Sequence, residues 1–231
     1  MKIITVVEAS KISFVLAIDS SRSMGAQDIL PDRLEAAKKA AKNFIDIIPE
    51  KTRVGIISFS GTSFIEQEMT DDKTILKNAI DNIELKIIGG TDILGAIVAS
   101  SNLLKGEEAK TIILLSDGQA NINELQDIVD YVKKNKVIVH TLAVGTREGG
   151  KDERGGVFKI SEDTLKTIAE KSGGRYFNIQ KIEDFYSSFK EIKNLTKKKE
   201  IYDTSFYLIL SALILFILNF ILINTKYRTL P

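Results

Sequence analysis

The stretch ISFVLAIDSSRSM, residues 12–24, decides the fold. Its first part, Ile12 to Ile18, shows almost none of the polar alternation of a half-wet strand, as expected of a strand buried on both faces of a parallel sheet. Its second part sets Asp19, Ser21 and Ser23 at alternate positions where that strand ends. Strand ends are commonly finished by glycine, proline or asparagine. A carboxylate and two hydroxyls in that place ask for a common partner.

Working outward, Arg53 to Phe59, Thr111 to Leu115 and Val137 to Val144 repeat the Ile- and Val-rich pattern, and Arg175 to Asn178 reads as a short last strand. Thr62 to Ile65 reads as an antiparallel edge strand, hairpinned to Phe59 through Gly61. Helical periodicity lies between the strands. Leu34, Ala37, Ala41, Ile45 and Ile48 share one face, with Asp32 and Glu35 spaced as a capping box and Pro49 as the stop. Leu94, Ile97, Val98, Ser101 and Leu104 share a second face. Leu125, Ile128, Val129 and Val132 share a third, with Asn123 as the expected cap. Leu165, Ile168 and Ala169 share a fourth, closed by Gly173 and Gly174. The order β-α-β-β-α-α-β-α-β-α-β predicts an α/β fold. Its sheet is open, mostly parallel and doubly wound, with one antiparallel edge strand and helices on both faces. Residues 145–161, GTREGGKDERGGVFKIS, are expected to be a mobile loop.

The chain has 231 residues, with 32 Lys and Arg against 31 Asp and Glu. Such a balance gives no field to recruit nucleic acid, and none is expected as a partner. With no cysteine there is neither a disulfide framework nor a thiolate metal site. From Phe206 to Ile223 the sequence FYLILSALILFILNFILI carries no charge. At about 1.5 Å per residue it makes about 27 Å of helix, enough to cross a bilayer core with help from its flanks. A transmembrane helix is therefore expected at 205–225, after a basic juxtamembrane linker at 191–204 and before a short tail at 226–231. This implies a single-pass protein of the cell membrane, with Asn219 offering a polar contact to other membrane proteins. Lys190, Lys193, Lys197, Lys198 and Lys199 precede the span and only Lys226 and Arg228 follow it, which places the soluble domain in the cytoplasm. The N-terminal MKIITVVEASK has neither the length nor the cleavage site of a signal peptide, in agreement with that orientation.

In a doubly wound sheet, sites form beyond the carboxyl ends of the parallel strands. Three polar groups fall there: Asp19, Ser21 and Ser23; Ser116, Asp117 and Gly118 after TIILL; and Thr91 with Asp92 in IGGTDILGA. Each has a plain structural reading as a turn or a helix cap. Together, two carboxylates and three hydroxyls make a hard oxygen set suited to Mg²⁺, and Mn²⁺ would satisfy the same donors. Zinc is a poor match for a chain with one histidine and no cysteine. That histidine, His140 in VIVHTLAV, reads as a strand residue.

D-x-S-x-S after the first strand, G-G-T-D in mid-domain and S-D-G at a later strand, in that order, resemble a von Willebrand factor type A domain with a metal-ion-dependent adhesion site. The likeness spans about residues 10–190, within an expected domain at 1–190. It implies that Asp19, Ser21, Ser23, Thr91 and Asp117 hold the ion, leaving one position for an Asp or Glu of a protein partner. Arg22 stands where the family commonly has glycine, and is expected at the rim, assisting an incoming carboxylate or pointing to solvent. Residues 31–63, the VGT-x-E-G turn at 144–149 and the C-terminal apolar stretch resemble the Bat or aerotolerance-type prokaryotic membrane proteins. This narrower likeness implies a MoxR-type AAA+ ATPase as a companion. The expected function is a membrane-anchored, Mg²⁺-dependent protein-binding module and not an enzyme. Two alternatives stay open: a scaffold with a vestigial site, and a Mg²⁺-dependent phosphatase using Asp19. The second lacks an acid two residues later, where Ser21 stands, and a lysine in SDGQAN.

Overall fold

The computed structural model describes residues 3–5, 12–86, 89–107, 109–119, 124–195, 200–202 and 205–224. In chain order these form β1 (Ile3–Thr5), β2 (Ile12–Asp19), a 3₁₀ turn (Arg22–Gly25), α1 (Arg33–Ile47), β3 (Val54–Phe59), β4 (Ser63–Thr70) and α2 (Lys73–Asp81). Then come α3 (Ile93–Leu103), β5 (Ala109–Ser116), α4 (Leu125–Asn135), β6 (Ile138–Val144), β7 (Gly150–Lys151) and β8 (Val157–Phe158). The series closes with α5 (Glu162–Ser172), β9 (Tyr176–Ile179), α6 (Ile182–Leu195), β10 (Glu200–Tyr202) and α7 (Ser205–Asn224).

The main unit, Ser10–Thr196, is built on a six-stranded sheet of order β4-β3-β2-β5-β6-β9. Every neighbouring pair is parallel except β3 with β4. This is the α/β architecture the sequence implies. β2 lies between β3 and β5, so the chain leaves it in one direction toward β3 and returns on the other side to build β5 and β6. That reversal opens a crevice at the carboxyl ends of β2 and β5. The register Ile18 to Leu115 sets Ser116 beside Asp19 at its lip.

Alternate residues of β2 feed two cores. Phe14, Leu16 and Ile18 pack with Ala37, Ala41 and Phe44 of α1 and with Phe185 and Phe189 of α6. The Phe44 and Phe189 rings stack at 4.7 Å between centroids, a geometry worth about 1 kcal/mol beyond its buried area. Val15 and Ala17 face Ile93, Ala96 and Ile97 of α3.

Four local features differ from expectation. β4 continues to Thr70 rather than ending at Ile65; as an edge strand it tolerates Glu66, Gln67 and Glu68, which a buried strand would not. The capping box at α1 is half formed: Asp32 Oδ1 accepts from Glu35 N at 2.8 Å, while the Glu35 carboxylate binds Lys38 Nζ at 2.6 Å. Residues 145–161 contain the small antiparallel hairpin of β7 and β8, where the Lys151 carbonyl accepts from Gln27 N at 3.0 Å and Asp28 accepts from Thr146 N at 2.8 Å. The segment expected as a mobile loop is thus tied to the rest of the domain, and Asp152 within it pairs with Arg22. Helix α6 runs to Leu195, into the stretch expected as linker. The cap expected of Asn123 lies outside the described residues.

A second unit comprises Met1–Ala9 and Lys197–Pro231. Within it β1 pairs antiparallel with β10, Ile3 opposite Tyr202. This pair is not legible in the sequence, because strands of three residues are too short to show a period. Helix α7 has 20 residues, and its described side chains at 209–223 are exposed. Among the described residues no helix is long and apolar enough to cross a membrane. For α7 the side chains described cover only about 22 Å of a core about 30 Å thick.

Candidate metal centre

β2 carries Asp19 to the crevice at zero exposure. One of its oxygens accepts from Ser21 N at 2.8 Å and the other from Ser116 Oγ at 2.6 Å. The 3₁₀ turn that follows brings Ser21 Oγ and Ser23 Oγ to 3.1 Å from each other, both nearly shielded from solvent. From β5 comes Asp117, also fully buried, with Oδ1 accepting from Gln119 N at 3.2 Å. Burial, with the neighbouring Asp117 charge second, pushes the Asp19 carboxyl up to about 7. Burial also raises Asp117, against bonds from Ser23 and the charge of Arg33.

Arg33, the first residue of α1, is fully buried and joins this end of the sheet to the hairpin. Its Nη1 donates to Asp117 Oδ2 at 3.1 Å and reaches the Ser23 carbonyl at 3.5 Å. Its Nε and Nη2 fork onto Asp28 at 2.7 and 2.8 Å, and Nη2 also donates to the Phe158 carbonyl at 2.9 Å. Burial works to raise Asp28, but this fork and the bond from Thr146 hold it below the ordinary carboxylate range. Sequence reasoning passed over Arg33 and Asp28, and named Ser116 at its strand end without giving it a role. One signal for Arg33 was present: a cation in the first helical turn opposes the helix dipole unless acids surround it.

Four of the five expected donors are thus linked through shared hydrogen bonds. Thr91 is half-buried just before α3, where Asp92 Oδ1 caps Gly95 N at 2.7 Å. Asp92 N donates to the Ser60 carbonyl at 2.7 Å, which ties this loop to the end of β3. No hydrogen bond joins Thr91 to the other four among the described residues. Arg22 stands at the rim with an exposed side chain: its Nε binds Asp152 Oδ2 at 2.7 Å and its guanidinium lies 5.7 Å from the Phe158 ring centroid. His140 is a buried strand residue whose Nδ1 accepts from Arg175 N at 3.1 Å.

The donor set fits a hard divalent cation. Two buried carboxylates lie within electrostatic reach of each other beside the Ser21 and Ser23 hydroxyls, and burial first, then the Asp117 charge, disfavours an ionised Asp19 that has no cation beside it. Among the described residues no group of three or more His, Cys, Asp or Glu is placed to hold a metal. Any ion here therefore depends on the serine hydroxyls.

Residues 14–119 match the family model of the von Willebrand factor type A domain. BatB from Bacteroides thetaiotaomicron superposes with a TM-score of 0.72 at 26% identity, over 81% of this chain and 100% of that one. An aerotolerance-related membrane protein from Bacteroides fragilis gives 0.70 at 25% identity, over 80% of this chain and 100% of that one. A UPF0353 protein of Nocardia farcinica is 30% identical over 204 residues, 77% of this chain and 61% of its own length. The chain spans about three fifths of the length of the curated relatives it matches.

Proposed function

From the premise that the chain carries a von Willebrand factor type A domain, we propose a membrane-anchored module that binds a protein partner through Mg²⁺. The observation that carries this reading is the pair of buried carboxylates, Asp19 and Asp117, beside the Ser21 and Ser23 hydroxyls at the switch point of the sheet. Ser21, Ser23 and Thr91 would hold the ion by their hydroxyls, and Asp19 and Asp117 by charge, with Mn²⁺ acceptable to the same donors. When bound, the cation supplies an open position for an anionic ligand. The protein supplies the rest. Ser116 and the Ser21 amide fix the Asp19 carboxylate, and Arg33 fixes that of Asp117.

An Asp or Glu of the partner completes the site, and no bond is broken. The phosphatase alternative is disfavoured because both oxygens of Asp19 are hydrogen-bonded and shielded, whereas a nucleophile needs one free. A scaffold with a vestigial site is disfavoured by the same bonds, which keep the donors gathered. Helix α7 is the proposed anchor in the bilayer, supported by the uncharged sequence from Phe206 to Ile223. The basic residues before it favour a cytoplasmic domain, within reach of a MoxR-type AAA+ ATPase and of other membrane proteins. Likeness to an aerotolerance-related membrane protein supports the membrane association. Calorimetric titration with Mg²⁺ tests the core of the proposal: Asp19→Ala should abolish the binding heat, and an unchanged affinity would sink it.

A further inference from the structure

A cleft of about 380 Å³ opens beside the proposed metal loop, within the size range of ligand pockets. Arg22, which separates Ser21 from Ser23, lies in its lining together with Gly25. One wall is the segment of Leu85 and Lys86, held to the loop by Lys86 N donating to the Ser20 carbonyl at 2.7 Å. The opposite wall is the hairpin turn of Asp152 and Arg154, held by the Arg22 to Asp152 ion pair.

The lining contains acids and bases in equal number, but the two sets differ in what they already bind. Asp32 caps α1. Asp152 accepts from Arg22 on one oxygen and from Arg154 N and Gly156 N on the other, at 3.1 and 2.6 Å. Among the described residues Glu153 is the one lining carboxylate without a hydrogen bond or ion pair. Against it, the Arg154 side chain makes no hydrogen bond or ion pair among the described residues. Lys86 rests over the Phe64 ring at 5.0 Å, and the two Nη groups of Arg22, whose side chain is 53% exposed, make no hydrogen bond among the described residues. The lining is neutral as a whole, but the donors left free on it belong to Lys86, Arg154 and the Arg22 Nη groups, and they border the metal loop.

We propose that this cleft takes a second carboxylate of the same partner segment whose first acidic side chain goes to the metal. The partner then presents a pair of acidic residues on one exposed stretch, with the half-exposed Leu85 giving an apolar contact between them. The inference rests on the metal reading above. It adds that selectivity comes from Lys86, Arg154 and Arg22.

The test uses the full chain in detergent with Mg²⁺ and short Gly/Ser peptides that carry either one glutamate or two at varied spacing. Exposed ion pairs are each worth a few-fold in affinity, so the best paired peptide should bind about five-fold more tightly than the single one at low salt. That advantage should vanish in Lys86→Glu/Arg154→Glu, while the Mg²⁺ affinity of that variant stays at the wild-type value. If all paired and single peptides bind equally, or the double variant keeps the advantage, the cleft proposal falls and the metal reading stands. If no peptide binds in a Mg²⁺-dependent way, both fall.

Discussion

Arg33 Nη1 stands 3.1 Å from Asp117 Oδ2, and neither side chain reaches solvent. The pair couples helix α1 to a proposed metal donor on β5, and the same guanidinium extends to Asp28 and the Phe158 carbonyl. Partners behind a metal's donors fix their orientation, and losing one typically costs about 10–100-fold in metal affinity. Arg33→Lys keeps the charge and loses the fork. It should stay folded and bind Mg²⁺ at least about ten-fold more weakly. Arg33→Met removes the charge as well, leaving Asp117 and Asp28 uncompensated, and should cost about 3–5 kcal/mol of stability. Calorimetry and urea unfolding check the two; wild-type Mg²⁺ affinity in Arg33→Lys would contradict the assignment.

Ser116 offers a finer test of the same site. Its hydroxyl donates to Asp19 Oδ2 at 2.6 Å and also accepts from Gly118 N at 3.0 Å. Ser116→Ala leaves a buried carboxylate oxygen unsatisfied, at a cost of about 1–3 kcal/mol. The loss should be larger in EDTA than in Mg²⁺, because a bound cation compensates Asp19. Equal losses in the two buffers would mean that no ion neutralises that carboxylate.

Much of the fold was legible because β2, β3, β5 and β6 are buried on both faces, so their Ile and Val runs stand out from the periodic helices. The candidate site drew attention for a different reason: Asp19, Ser21 and Ser23 fall at alternate positions where a core strand ends. What escaped notice was carried by long-range pairing. Arg33 and Asp28 are five residues apart in a loop and a helix start, and nothing local says that Asp117 lies against them. The hairpin of β7 and β8 has strands too short for a period to show, and its hold on the domain comes from Arg22, Gln27 and Asp28.

Membrane attachment through α7 is open to a direct measurement. The full chain should remain with the membrane fraction through an alkaline wash. Leu213→Arg/Phe216→Arg adds about 2.5–3.5 kcal/mol per arginine to the cost of insertion and should release it. With the domain on the cytoplasmic side, protease added to intact cells should leave it whole and digest it after lysis. Digestion in intact cells would reverse the orientation.

The last prediction concerns pH, where two buried groups pull in opposite directions. In the metal-free protein the Asp19 carboxyl sits at about 7, against 3.8 in an open chain. Between those values the unfolded chain has released a proton that the folded one keeps, so Asp19 makes stability fall as pH rises. His140, pushed down to about 4 from 6.5 by burial and then by the Arg175 charge, does the reverse. Between 6.5 and 4 the unfolded chain gains a proton that the folded one refuses, and stability falls as pH drops. The wild-type profile in EDTA therefore mixes two opposed slopes, and substitutions separate them. Asp19→Asn should gain on the wild type steadily from pH 4 to 7, whereas His140→Gln should gain on it as pH is lowered through the same window. Saturating Mg²⁺ should remove the Asp19 contribution from this window, because a cation binds only the ionised carboxylate, and wild-type stability should then climb with pH as His140 dictates. Urea unfolding across that range, with and without the ion, gives all of these curves. A difference between Asp19→Asn and wild type that stays constant with pH in EDTA would show that Asp19 ionises normally, and with it would go the charge imbalance that argues for a cation.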